Sequence, residues 1–77
     1  SALSVFRLTM SSTDEGIVIA WPSQPGIYYD LWRTSNLAEG FSELATGLPA
    51  AFSGDVTTYL DTTATDKGPY FYRVTPR

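Results

Sequence analysis

Residues 26–33 read GIYYDLWR. As a strand, this run sends Ile27, Tyr29, Leu31 and Arg33 to one side and Tyr28, Asp30 and Trp32 to the other, because successive side chains alternate. A half-buried strand shows one apolar and one polar face. Here both faces carry large apolar groups, so the run fixes a strand without saying which face is core.

Working outward, strand signals recur along the chain with turn signals between them. Residues 3–10 (LSVFRLTM) alternate, with Phe6, Leu8 and Met10 in phase and Ser4 at the frayed start of that face. The cluster SSTDEG (11–16) predicts a turn. Residues 17–21 (IVIAW) predict a second strand with Ile17, Ile19 and Trp21 in phase, ended by Pro22, which has no N–H for a ladder. PSQPG (22–26) predicts a stiff turn closed by Pro25-Gly26. The third strand covers 26–34. SNLAEG (35–40) suits one helical turn stopped by Gly40. Residues 41–46 (FSELAT) predict a fourth strand and GLP (47–49) a turn. The β-branched run VTTYLD (56–61) predicts a fifth strand. A loop (62–69) leads to the last, YFYRVT (70–75). Short strands at this spacing predict an all-β, antiparallel sandwich of six to seven strands, formed by residues 1–77 as one domain.

Composition narrows the chemistry. The chain has 77 residues, no cysteine and no histidine. Disulfides and thiolate metal sites are excluded, and so is a Ser-His-Asp triad. The net charge is −3 and the five basic residues are scattered, whereas a nucleic-acid binder carries a basic stripe. No apolar run approaches the roughly 20 residues of a membrane helix. Asp14, Glu15, Asp61 and Asp66 fall in predicted turns and loops. Loop oxygens can hold Ca²⁺, but aspartate in turns commonly bonds its own backbone, and no metal or cofactor is expected. GLPAAFSG (47–54) lacks the lysine and spacing of a phosphate-binding loop. Starting at Ser1 rather than Met, the chain reads as a piece excised from a longer protein.

An ordered set of motifs adds to this. IAW (19–21), PG (25–26), YDL (29–31), Asn36-Leu37, DTTA (61–64) and YFYRV (70–74) together resemble a fibronectin type III-like module of bacterial multidomain secreted or surface proteins. The resemblance covers about residues 17–75. Two departures stand out: no seventh strand follows YFYRV, and no Arg-Gly-Asp triplet is present. The resemblance implies that Trp21 is the central core plug and that Tyr29, Leu31, Tyr70, Tyr72 and Val74 face inward, joined by Tyr59. Tyr70 takes the place of the family's corner tyrosine, whose hydroxyl ties to nearby backbone.

On that assignment Tyr28, Asp30 and Trp32 of the third strand face outward, with Phe71, Arg73 and Thr75 of the last strand beside them. Asp30 and Arg73 are expected to pair across strands. Such an exposed aromatic cluster needs an explanation that a lone exposed leucine does not. Long side chains can cover it locally, Arg73 over Trp32 or Phe71 in a cation–π contact. Otherwise it docks a neighbouring domain or stacks a sugar. The resemblance implies a non-catalytic accessory module of a larger extracellular or cell-surface protein, such as a polysaccharide-degrading enzyme, that spaces or docks other domains. The alternative is a carbohydrate-binding module using Trp32, Tyr28 and Phe71 flanked by Asp30 and Arg73. Neighbouring domains or a polysaccharide are the expected partners, with no nucleic acid and no membrane insertion.

Overall fold

The structure, a computed structural model, describes residues 7–52, 54–65 and 67–77. Its strands are β1 (Thr9–Thr13), β2 (Gly16–Pro22), β3 (Tyr28–Thr34), β4 (Ser42–Pro49), β5 (Val56–Asp61) and β6 (Phe71–Pro76), with a 3-10 turn at Leu37–Glu39. They form two three-stranded sheets, β1-β2-β5 and β4-β3-β6. Every pairing is antiparallel. The chain is a small all-β sandwich.

The core lies between the sheets. β2 contributes Ile19 and Trp21, β3 Tyr29 and Leu31, and β6 Tyr72 and Val74, all buried. The Trp21 and Tyr29 rings meet edge to face, their centroids 6.0 Å apart at 62°, as aromatic quadrupoles favour. Tyr59 and Tyr70 are half-buried and pack against this group. Tyr29 is 5% exposed and its sequence neighbour Tyr28 is 53% exposed. The inner face of GIYYDLWR is therefore the Tyr29 and Leu31 face.

Four elements depart from the sequence reading. The first strand runs over Thr9–Thr13 rather than 3–10; residues 1–6, with the expected positions of Ser4 and Phe6, lie outside the described residues. Met10 pairs with Ile19, so it is on the inner side, but β1 is an edge strand and Met10 stays half exposed. Ser11–Thr13 extend the strand instead of turning, and only Asp14-Glu15 make the hairpin loop between the Thr13–Gly16 pair. There Thr13 Oγ1 accepts from Glu15 N–H and donates to the Gly16 carbonyl. Gly16 has φ 144°, and a Cβ on it would collide with the Asp61 carbonyl. Hydroxyl-to-backbone bonds and a glycine thus compress the turn to two residues.

The third departure is GLP, which continues β4 to Pro49. Tyr29 pairs with Leu48 while Leu31 pairs with Ala45, so Asp30 faces two residues of β4. That is a β-bulge, and Gly47 supplies its left-handed residue at φ 64°. A second register shift lies between Leu31 and Trp32. The fourth departure is small: β6 begins at Phe71, leaving Tyr70 just ahead of the strand. The helical turn forms as expected, with the Asn36 side chain accepting from Ala38 N–H and Gly40 ending it.

Candidate contact surface

The outward face of β4-β3-β6 carries the aromatic residues that sequence reasoning singled out. Trp32 sits mid-strand on β3, flanked by Glu43 on β4 and Arg73 on β6. Its indole Nε1 donates to Thr75 Oγ1 over 3.0 Å. The Arg73 guanidinium carbon lies 5.2 Å from the Trp32 ring centroid. It lies at the same 5.2 Å from the Phe41 centroid. One cation thus serves two aromatic rings, and Trp32 is half-buried rather than free.

The expected Asp30–Arg73 pair does not form. Asp30 is opposite Thr75, and Arg73 is opposite Trp32, two positions further along β3. Asp30 Oδ1 instead accepts from the Gly47 N–H over 3.0 Å, within the bulge, and forms an ion pair with Arg77, whose Nε lies 3.5 Å away. The bulge turns a backbone N–H toward the carboxylate, and the Trp32 and Phe41 rings hold Arg73 away from it.

Tyr28 and Phe71 share this face but not one cluster. Phe71 is opposite Thr34, six residues along β3 from Tyr28, which spans about 20 Å at strand spacing. Phe71 is half-buried, and Tyr28 is exposed opposite Pro49. Sequence reasoning missed Phe41 and Arg77. Phe41 is the aromatic directly after the helix-ending Gly40, a position from which it can fold back on the sheet.

A second ionisable group lies inside. Asp61 on β5 is 2% exposed. Its Oδ2 accepts from Arg33 NH1 at 2.8 Å and from the Tyr72 hydroxyl at 2.7 Å. Its Oδ1 accepts from the Thr63 N–H at 3.0 Å and the Thr63 hydroxyl at 2.6 Å. Arg33 and Tyr72 come from β3 and β6, so this carboxylate joins the two sheets. Burial alone opposes its charge, but the bonds from Thr63, Tyr72 and Arg33 outweigh that and hold its carboxyl below the usual carboxylate range. Burial, then the bond to Asp61, pushes the Tyr72 phenol far up. Burial opposes the Arg33 charge as well, yet the bond to Asp61 and its charge raise the guanidinium's value. The Arg33 guanidinium also lies 5.3 Å from the Tyr70 ring centroid.

This network accounts for Asp61 without a metal, and no cluster of three potential metal ligands occurs among the described residues. Asp66 lies outside those residues. No protein-family model, curated protein or solved structure matches the chain.

Proposed function

We infer that the chain is a non-catalytic spacer or docking module of a larger extracellular protein, similar to fibronectin type III domains. The observation that carries this reading is the use made of the convergent ionisable groups. Asp61, Arg33, Tyr72 and Thr63 bond one another across the sheets, so their chemistry is spent on fixing two layers, as a rigid module requires. The strand order β1-β2-β5 against β4-β3-β6, with Trp21 central, supports the family resemblance.

The docking surface in this reading is the Trp32, Arg73 and Phe41 stack. Its rings and cation are already held in place, so a partner that covers them orders little further conformational freedom. A sugar platform needs a free ring face, and Arg73 occupies one face of Trp32.

Affinity electrophoresis of the chain through a panel of soluble polysaccharides tests the choice. The expected result is unaltered migration in every gel. Retardation that disappears in Trp32→Ala would replace the docking reading with the carbohydrate-binding one. In the parent protein, Trp32→Ala and Phe41→Ala are expected to speed proteolysis at the junctions flanking this module; unchanged cleavage sinks the docking role.

A further inference from the structure

The two sheets have four edge strands, and three of them are guarded. β4 carries Glu43, a bulge and Pro49; β5 carries the inward-pointing Asp61; β6 carries Arg73 and Pro76. Charges, bulges and prolines on an edge oppose the addition of a further strand. β1, TMSST, has none of these, its register with β2 is unbroken, and all its residues are exposed.

The backbone groups that β1 leaves open follow from its partner. The Ser23 N–H donates to the Asp55 carbonyl over 2.8 Å, so the odd-numbered residues of β2 turn their backbone groups toward β5. The even-numbered ones, Gly16, Val18 and Ala20, turn theirs toward Thr13, Ser11 and Thr9 of β1. Met10 and Ser12 therefore point N–H and C=O away from the sheet. Neither makes a backbone bond outside the β1–β2 pair among the described residues. The same two residues line a groove of about 510 Å³, together with Ile17, Lys67, Pro69 and Tyr70. Lys67 forms no ion pair among the described residues.

We propose that the β1 edge and this groove bind an extended peptide bearing a carboxylate side chain, which adds to β1-β2-β5 as a further strand. The open N–H and C=O groups of Met10 and Ser12 are complemented by another extended backbone, and alternate side chains of the added strand enter the groove. Met10 and Pro69 give those side chains an apolar wall. Lys67 supplies the only positive charge among the lining residues, so it selects a peptide with a carboxylate. This surface is separate from the Trp32 stack, which lies on the outward face of the other sheet.

Selection of phage-displayed random decapeptides on the full chain tests this. The expected result is enrichment of sequences in which apolar residues and Asp or Glu recur at every second position. Ser12→Pro removes one edge donor that β2 does not use, and Lys67→Glu reverses the charge of the groove. Each is expected to weaken the most enriched peptide, made synthetically, at least about tenfold in fluorescence polarisation. Neither alters the thermal melt of the chain, and Trp32→Ala leaves binding unchanged. Peptide binding slows hydrogen exchange at the Met10 and Ser12 amides at least about tenfold. No enrichment overturns the proposal, as does enrichment of peptides without a carboxylate. So does binding that ignores either substitution, that responds to Trp32→Ala, or that leaves exchange at Met10 and Ser12 unaltered.

Discussion

Asp61 and Tyr72 belong to different sheets, and the Tyr72 hydroxyl donates to Asp61 Oδ2 over 2.7 Å at a site closed to solvent. Removing the carboxylate strips the buried Tyr72 hydroxyl of its acceptor and the partly exposed Arg33 of its ion-pair partner. Asp61→Ala is expected to cost about 3 kcal/mol, the low end for breaking a buried pair, because solvent reaches part of the Arg33 guanidinium. Tyr72→Phe is expected to cost about 1.5–3 kcal/mol, the range for a bond to a charged group. Urea titrations of the two variants check both size and order; a Tyr72→Phe loss equal to that of Asp61→Ala would mean the phenol, not the carboxylate, organises the cluster.

The same cluster sets a pH window. The Asp61 carboxyl titrates below its unfolded value, so its stabilisation is complete above about pH 4 and is lost as pH falls through the folded value. The Tyr72 phenol titrates above its unfolded value of 10.0. Its contribution is complete below about pH 10 and is lost as pH rises beyond it. Unfolding free energy measured across pH is expected to be level between these limits and to fall on both sides. Asp61→Asn should flatten the acid limb, and an unaltered acid limb would place the responsible carboxyl elsewhere.

Arg73 shields Trp32. Arg73→Ala is expected to cost only about 0.5–1 kcal/mol, as befits an exposed cation–π contact. Its optical effect is larger. Trp21 is buried and gives a constant blue component, so a red shift and easier iodide quenching report Trp32 alone. If quenching is unchanged, the guanidinium does not cover the indole in solution.

Two glycines are expected to tolerate alanine unequally. Gly47→Ala presses only on the end of the flexible Arg77 side chain, at 3.2 Å, but adopts a left-handed conformation at φ 64°, costing about 1–2 kcal/mol. Gly16→Ala adds a collision with the Asp61 backbone, next to the residue that joins the sheets. Its melting temperature should fall further than that of Gly47→Ala, and the reverse order would contradict the hairpin geometry.

What was legible in the sequence is what a strand's own alternation encodes. Trp21, Tyr29, Leu31, Tyr72 and Val74 lie inside as expected, and β5 has its expected limits. What was hidden depends on a second strand. Asp30 bonds Gly47 because a bulge in β4 brings that N–H to it, and the sequence GLP reads equally as a turn. Thr13 shortens a turn that composition alone makes six residues long. Phe41 joins the site only because Arg73 extends between its ring and Trp32. Asp61, the most connected side chain, sits in a run of threonines whose loop-like composition conceals a buried carboxylate.

The β1 edge belongs to one sheet and β6 to the other. Tension drawn along the polypeptide between these strands must therefore cross from layer to layer. Apolar contacts slide under shear with little directional resistance, whereas the Asp61 bonds to Arg33 and Tyr72 are short and oriented. The carboxylate acts as a shear pin, and the force needed to extend the chain should drop most sharply where that single side chain is protonated.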